Sequence, residues 1–125
     1  MLIVEDNDKN LKLTRDLLHF AGLRTLETTS AEEGIELAAE FQPGVVLLDI
    51  QLPGMDGVTA LGELRADLRT ADIPVIALTA LATKGDRERL LSAGFDGYLA
   101  KPIDVKSFAD DVRRIAADGR RAAVT

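Results

Sequence analysis

Short apolar runs alternate along the chain with longer segments in which apolar and polar residues are mixed. The short runs predict β-strands at 2–4, 25–28, 45–48, 73–80 and 97–100. The mixed segments predict α-helices, because their apolar residues recur at spacings of three and four. The first helix is predicted at 7–21 and a polar fourth helix at 84–93. The other four helices each carry an apolar stripe that is expected to face the core. In the order first, second, third and fifth helix, these stripes are Leu13, Leu17 and Ala21; Ala31, Gly34, Ile35, Ala38 and Phe41; Val58, Leu61, Leu64 and Leu68; and Phe108, Val112 and Ile115.

Residues that start and stop helices support these boundaries. Gly22 and Gly94 follow the first and fourth helices, where glycine favours termination. Ser30 and Glu33 form a capping box, which predicts the start of the second helix. Asp104 is a predicted N-cap for the last helix. We expect one domain at 1–118 and a frayed tail at 119–125.

The predicted order is a strand followed by a helix, repeated five times. The runs 45–48 and 73–80 are continuously apolar, which is typical of strands that are buried on both faces. This pattern predicts an α/β fold with a doubly wound, five-stranded parallel sheet and helices on both sides. In such sheets a ligand binds beyond the carboxyl ends of the strands, where the winding direction reverses.

Polar residues stand at four of those strand ends. They are Glu5 and Asp6 after the first strand, Asp49 after the third, Thr79 at the fourth, and Lys101 after the fifth. The small residue Ala80 directly follows Thr79. Taken singly, each has an ordinary interpretation as a solvated turn, a strand residue or a surface lysine. Their conjunction at one end of a parallel sheet predicts a functional site.

The acidic residues of this set suit a metal ion. Clustered carboxylates repel one another, and a hard divalent cation removes that conflict. Mg²⁺ prefers oxygen ligands and usually keeps several waters, and Mn²⁺ is the alternative ion. We expect the side chains of Asp6 and Asp49 and the backbone carbonyl of Gln51 to bind the ion. Glu5 is expected to bind directly or through a water.

Asp49 is the candidate nucleophile, because a carboxylate can form an aspartyl-phosphate. Lys101 and the metal would neutralise the charge that develops on the transferred phosphoryl oxygens. Thr79 would offer its hydroxyl to one of those oxygens. The small side chain of Ala80 would leave the in-line approach open.

Composition narrows the class of protein. The length of 125 residues suffices for one domain, and the absence of cysteine excludes disulfides, thiolate metal sites and thiol catalysis. The formal net charge of −6 argues against direct binding to nucleic acid. A basic cluster at Arg113, Arg114, Arg120 and Arg121 is interpreted as a solvated helix end. No apolar run is long enough to span a membrane, so we expect no membrane partner and a cytoplasmic location.

The segments 2–7, 49–57, 77–80 and 101–102, in this order, resemble the receiver domain of bacterial response regulators, the CheY-like family. The resemblance runs from residue 2 to about residue 117. The segments 5–7 and 79–86 are most similar to DivK-type single-domain response regulators and to receiver domains of hybrid kinases. The resemblance implies a flavodoxin-like sheet with the strand order 2-1-3-4-5.

The resemblance also implies roles for the matched residues. These are Asp49 as phosphoacceptor, Glu5 and Asp6 as the acidic metal pair, Thr79 as the switch hydroxyl, Tyr98 as the switch aromatic, and a cis bond between Lys101 and Pro102. The implied protein is a single-domain two-component response regulator, which is no enzyme beyond its own phosphorylation and dephosphorylation.

The resemblance further implies partners. The phosphoryl donor would be a histidine kinase or a histidine phosphotransfer protein. A downstream protein would dock on the face formed by the fourth helix, the fifth strand and the fifth helix, at about 84–114. We expect a monomer or a weak dimer. Output is expected through protein contacts, because no DNA-binding domain follows.

Two features depart from the family pattern. The first strand begins at the first residue, which indicates either a short strand or a truncated start. Gln51 and Leu81 occupy the positions that, by the resemblance, tune how fast the phosphoryl group is lost.

Other interpretations are open at this point. His19 could act as a phosphocarrier, but such carriers are helical bundles, so an exposed helix residue is favoured. Leu11 and Leu18 could form a patch for a partner helix or be partly buried within the monomer. A Mg²⁺-dependent phosphohydrolase would use similar chemistry, although no substrate-binding insertion fits in this length. A scaffold with an intact but unused pocket is the third alternative.

Overall fold

The computed structural model describes residues 1–52, 55–80, 84–101 and 103–117, together with the backbone of 118–124. Its strands are β1 (Leu2–Val4), β2 (Leu26–Thr28), β3 (Val46–Asp49), β4 (Val75–Thr79) and β5 (Gly97–Ala100). Its helices are α1 (Asp8–Phe20), α2 (Ala31–Phe41), α3 (Gly57–Ala66), α4 (Lys84–Ala93) and α5 (Phe108–Val124). All ten predicted elements are therefore present, and β1, α4 and β5 have the predicted bounds.

The five strands are parallel and form one sheet in the order β2-β1-β3-β4-β5. The predicted doubly wound α/β fold and its strand order are confirmed. Because β1 lies between β2 and β3, the winding direction reverses there. The reversal opens a crevice beyond the carboxyl ends of β1 and β3, where the predicted site lies.

Two apolar cores flank the sheet, one on each face. Val46 and Leu48 of β3 pack into the core that includes α2, α3 and α4. Leu47 packs on the opposite face with Leu18 of α1 and Phe108 of α5. Successive strand residues point to opposite faces, so both faces of β3 are buried. This double burial explains why the 45–48 run is continuously apolar.

The buried face of α1 differs from the predicted stripe. Thr14 and Leu18 are fully buried, whereas the predicted stripe of Leu13, Leu17 and Ala21 is only half-buried. Leu11 is half-buried as well. Leu18 therefore belongs to the core, so of the two open alternatives for Leu11 and Leu18, the structure favours burial within the monomer over a docking patch. Leucines occur on several sides of this helix, so spacing alone could not select the inner side.

Three apolar residues that were predicted to face inward are exposed. Phe41 at the end of α2 is 56% exposed, and Leu68, which follows the end of α3, is 95% exposed. Val58 in the first turn of α3 is 37% exposed. The stripe of α3 is completed instead by Ala60 together with the predicted Leu61 and Leu64. The helix ends at Ala66, so the predicted fourth position of the stripe lies outside it.

The predicted capping box of α2 is half correct. Ser30 Oγ accepts a hydrogen bond from the backbone N–H of Glu33 at 3.2 Å, as an N-cap should. The predicted reciprocal bond, from the backbone N–H of Ser30 to the side chain of Glu33, is replaced by other contacts. The backbone N–H of Ser30 donates to Thr28 Oγ1, and Ser30 Oγ donates to Glu32. Gly22 and Gly94 have φ values of +86° and +114°, so both helix stops are confirmed.

The entry to α5 is longer than predicted. Asp104 accepts from the backbone N–H of Lys106, and its carbonyl accepts from Phe108, so it caps a turn that leads into the helix. A Cβ on Gly97 would lie 2.6 Å from Ile115, so only glycine allows α5 to lie this close to β5. The division of the chain into a domain at 1–118 and a frayed tail at 119–125 stays a prediction.

None of the helices in the described part of the chain combines the length and the apolar character that a membrane crossing requires.

Candidate functional site

Strand register brings two of the predicted site residues, Glu5 and Asp49, together. Val4 of β1 pairs with Leu48 of β3, so the next residues, Glu5 and Asp49, lie side by side at the carboxyl end of the sheet. Both carboxylates are buried.

Lys101 reaches both of these carboxylates. Its backbone N–H donates to the carbonyl of Thr79 at 2.7 Å, which places the residue directly beyond β4 and β5. Its Nζ lies 2.8 Å from Glu5 Oε2 and 3.1 Å from Asp49 Oδ2. The side chain is only 17% exposed, so the ammonium is the main compensation for two buried charges.

Burial and charge shift the pKa values of this pair of partners. Burial raises the pKa of Glu5 above its usual value, and the charge of Asp49 adds to this, while the nearby Lys101 ammonium and the hydrogen bond from Asn7 oppose it. For Lys101, burial favours the neutral amine, but the contacts with Glu5 and Asp49 raise its pKa overall. Lys101 is therefore a firmly charged ammonium between the two carboxylates.

Asp6 completes a cluster that fits a divalent cation. Unlike Glu5 and Asp49, Asp6 is exposed, and one carboxylate oxygen from each of the three residues lies within 4.8 Å of the others. One ammonium cannot balance three carboxylates. Glu5 Oε2 is also buried, and its ion pair with Lys101 does not have the geometry of a hydrogen bond. An oxygen-rich, negatively charged cluster of this kind suits Mg²⁺.

The start of α1 holds the acidic pair in place. Asn7 is the N-cap, and its Oδ1 accepts from the backbone N–H of Asn10 at 3.0 Å. The backbone N–H of Asn7 donates to Glu5 Oε1 at 3.3 Å. Sequence reasoning missed this role, although an asparagine directly before a helical segment is a recognisable capping signal.

The loop after β3 orients the carboxylate of Asp49. The backbone N–H of Gln51 donates to Asp49 Oδ1 at 2.9 Å, while Oδ2 faces Lys101. The loop returns where Gly57 N–H donates to the carbonyl of Ile50 at 3.2 Å. A Cβ on Gly57 would lie 2.6 Å from the Ile50 Cα, so glycine is required at this turn. Pro53 and Gly54 lie outside the described residues.

Thr79 and Tyr98 lie on the other face of the sheet from Lys101. Thr79 is fully buried at the end of β4, and Ala80 directly after it is exposed. Tyr98 pairs in register with Ala77, two residues before Thr79, so its side chain shares the Thr79 face. Leu81 and Pro102, and with Pro102 the predicted cis bond, lie outside the described residues.

A second missed residue is Arg87 of α4, whose guanidinium carbon lies 5.0 Å from the centroid of the Tyr98 ring. No local sequence signal predicts this contact, because it depends on how α4 lies against β5.

The remaining candidates have structural roles. His19 is exposed on α1, and its Nε2 lies 2.8 Å from Thr25 Oγ1, which agrees with the surface interpretation. Arg113 donates to the carbonyl of Ala21 at 2.6 Å, and Arg114 pairs with Asp111 at 3.1 Å. The basic cluster is thus partly tied up in local contacts, and the side chains of Arg120 and Arg121 lie outside the described residues.

Comparison with known proteins agrees with this geometry. The family described as the response regulator receiver domain matches residues 1–113. The chain is 42% identical over 118 residues to the polar-differentiation response regulator DivK of Brucella ovis, which covers 94% of this chain and 96% of that protein.

Solved structures give the same result. The receiver domain of a sensor histidine kinase from Pseudomonas aeruginosa, crystallised with a magnesium ion in its active-site cleft, is 34% identical with a TM-score of 0.84, over 93% of this chain and 95% of that one. A response regulator from Desulfuromonas acetoxidans is 26% identical with a TM-score of 0.83, over 93% and 94%. The chain therefore belongs to the response regulator receiver domain family, whose members are signalling proteins of two-component systems.

Proposed function

We propose that this chain is a two-component response regulator that accepts a phosphoryl group on Asp49 in a Mg²⁺-dependent reaction. The observation that carries the proposal is the setting of Asp49. Its carboxylate is buried, lies 3.1 Å from the Lys101 ammonium, and shares a cluster 4.8 Å across with Glu5 and Asp6. The 42% identity to DivK supports the same function.

In the proposed transfer, a carboxylate oxygen of Asp49 forms a bond to phosphorus. The bond that breaks joins phosphorus to an imidazole nitrogen of a phosphohistidine, and that nitrogen keeps the bonding electron pair. The donor is a histidine kinase or a histidine phosphotransfer protein, and the exchange takes place in the cytoplasm. Exposure of the small residue Ala80 supports an open approach to Asp49.

Two kinds of charge compensation support this reaction. Lys101 already lies against Asp49 and would follow the negative charge onto the phosphoryl oxygens. Asp6, Asp49 and the backbone carbonyl of Gln51 would hold Mg²⁺, with Glu5 binding directly or through a water. When bound, the ion supplies Lewis-acid stabilisation of the phosphoryl charge. The magnesium in the Pseudomonas aeruginosa receiver domain supports this assignment.

The proposed output is a change in the face formed by α4, β5 and α5. The Thr79 hydroxyl would bind a phosphoryl oxygen and draw its strand end inward, and Tyr98 on the same face of the sheet would follow. A groove on this face is lined by Leu91, Asp96, Gly97, Tyr98, Leu99, Ala100, Arg114 and Ile115. Apolar side chains with charged neighbours suit a docked protein partner.

The test is phosphorylation by a small-molecule donor. The purified protein is incubated with acetyl phosphate or phosphoramidate, with and without Mg²⁺, and its intact mass is recorded. We expect a gain of one phosphoryl group that requires Mg²⁺ and is lost in Asp49→Asn. Asp8→Asn is the matched control, because Asp8 is an exposed acid in the first turn of α1, two residues from Asp6.

Three results would contradict the proposal. A gain that persists in Asp49→Asn would place the phosphoryl group elsewhere. No gain in the unaltered protein under any condition would favour the scaffold alternative. Repeated turnover of small phosphate esters would favour a phosphohydrolase.

A further inference from the structure

The Tyr98 ring has a charged neighbour on α4. The Arg87 guanidinium carbon lies 5.0 Å from the ring centroid, within the distance at which a cation is attracted to the face of an aromatic ring. Among the described residues, the salt bridge within α4 belongs to Arg89, which approaches Asp86 at 4.0 Å. The guanidinium of Arg87 is instead directed at the Tyr98 ring.

This contact matters because α4 is lightly attached to the rest of the domain. Leu90 is its one fully buried side chain among the described residues, and the next residue, Leu91, is 44% exposed. Segments with few buried contacts separate from a fold at low cost in free energy. A single contact between α4 and β5 therefore has more influence here than it would inside the core.

We propose that Arg87 is a positioning residue that holds the Tyr98 ring in its half-buried, unphosphorylated position; this inference rests on the proposed role of Tyr98 as the switch aromatic. Tyr98 packs against the core on the Thr79 face. A ring that followed Thr79 inward would leave the guanidinium. Arg87 thus opposes the switch until phosphorylation supplies the compensating free energy. An exposed cation–π contact shifts the ratio of the two ring positions by about two- to five-fold.

The composition of the chain makes this inference directly measurable. Tyr98 is the single tyrosine, so labelling with 3-fluorotyrosine gives one ¹⁹F NMR signal that reports this ring alone. Arg87→Met removes the charge but keeps an unbranched side chain. We expect its signal, without any phosphoryl donor, to move part of the way toward the position that the unaltered protein adopts with acetyl phosphate and Mg²⁺. Arg87→Lys keeps a cation and should stay closer to the unaltered protein.

Arg89→Met is the matched control, because Arg89 is an exposed arginine on the same helix. Its signal should coincide with that of the unaltered protein. A signal for Arg87→Met that does not move, or an equal movement in Arg89→Met, would overturn the inference. Failure of the proposed function is distinguishable, because it would appear as the absence of a mass gain in the unaltered protein with acetyl phosphate and Mg²⁺.

Discussion

The acidic end of the sheet and the face around α4 are built in opposite ways. Glu5 directly follows β1 and Asp49 ends β3, two neighbouring inner strands of the sheet, and Lys101 connects them through ion pairs of 2.8 and 3.1 Å. In contrast, α4 lies over the edge of the sheet with Leu90 buried and Arg87 resting on Tyr98. The first region is fixed by buried charges, whereas the described residues of α4 contribute one fully buried side chain, Leu90, and the ring contact of Arg87.

This difference suits the phosphorylation switch proposed above. Phosphoryl transfer needs atoms held within fractions of an ångström, which a central parallel sheet provides. A surface that must change its partner needs two arrangements of similar free energy, which a lightly attached helix provides. The two regions share β5, because Lys101 and Tyr98 stand only three residues apart on opposite faces of the sheet. A change at one region can therefore reach the other through a single strand.

Removal of Lys101 is expected to have the largest effect on stability. In Lys101→Met, Glu5 and Asp49 stay buried without their cation. We expect a loss of about 3 kcal/mol in the free energy of unfolding, at the lower end for a broken buried pair because Lys101 keeps some exposure. Mg²⁺ should restore part of this loss, since it would bind the folded carboxylates only. Urea unfolding with EDTA and with Mg²⁺ measures both effects.

The control for this variant is Lys106→Met, in which an exposed lysine of the same β5–α5 segment is changed. It should unfold like the unaltered protein. An equal loss in both variants, or a loss in Lys101→Met that Mg²⁺ leaves unchanged, would contradict the description of the acidic end as a site held by compensated charge.

Truncation of Leu90 tests the other side of the comparison. Leu90→Ala should lower the free energy of unfolding by about 2 kcal/mol, because it removes buried apolar contacts and leaves a cavity. The loss is at the lower end for such a change, because the lightly attached α4 can move into part of that cavity. Hydrogen exchange should become faster at the amides of α4, while those of β1 and β3 stay protected. The matched control is Leu91→Ala, whose side chain is already largely exposed. Equal acceleration in β1 and β3 would mean that the two regions open as one unit.

A smaller effect is expected at the cap of α1. Asn7→Ala should cost about 1 kcal/mol of stability, as should Ser30→Ala at the cap of α2. Only Asn7→Ala should also weaken Mg²⁺ binding measured by calorimetry, because the capped backbone donates to Glu5. Asn7→Ser, which keeps a capping oxygen, should restore the affinity. Equal Mg²⁺ affinity in all three variants would make the Asn7 cap purely structural.

Much of the acidic end could be predicted from the sequence, because its placement depends on strand order alone. Glu5, Asp49 and Lys101 each follow an apolar run directly, and parallel strands bring such residues to one edge. The assignment needed no knowledge of side-chain packing. The pairing of Lys101 with both carboxylates is a finding of the structure, since sequence reasoning assigned Lys101 only to the phosphoryl oxygens.

Features that depend on packing were predicted less well. In α1, leucines at 11, 13, 17 and 18 leave the direction of the buried side undecided, and the sheet selects Leu18. Leu68 continues the spacing of α3, but the helix ends before it. The contact of Arg87 with Tyr98 joins residues of two elements, and its existence depends on where one helix crosses one strand. Periodicity describes one element at a time, so it carries no information on such contacts.

The smallest expected effect concerns pH and the rim of the acidic end. Asp56 caps α3 and accepts the backbone N–H of Thr59 at 2.8 Å, and these hydrogen bonds lower its pKa below the ordinary 3.8. The stability that Asp56 contributes is therefore complete above its ordinary pKa and is lost as pH falls through the lowered value. Asp56→Asn keeps a capping oxygen but cannot titrate.

The stability advantage of the unaltered protein over the Asp56→Asn variant should accordingly shrink as pH falls below about 4, by roughly 0.3 kcal/mol because the carboxylate is exposed to solvent. Urea unfolding of both proteins across this range measures it. The buried Glu5 has the opposite sign, since its pKa is raised, so acid relieves the repulsion inside the site while it weakens the cap at the rim. An advantage that is independent of pH would mean that Asp56 caps α3 by hydrogen bonding alone, without any contribution from its charge.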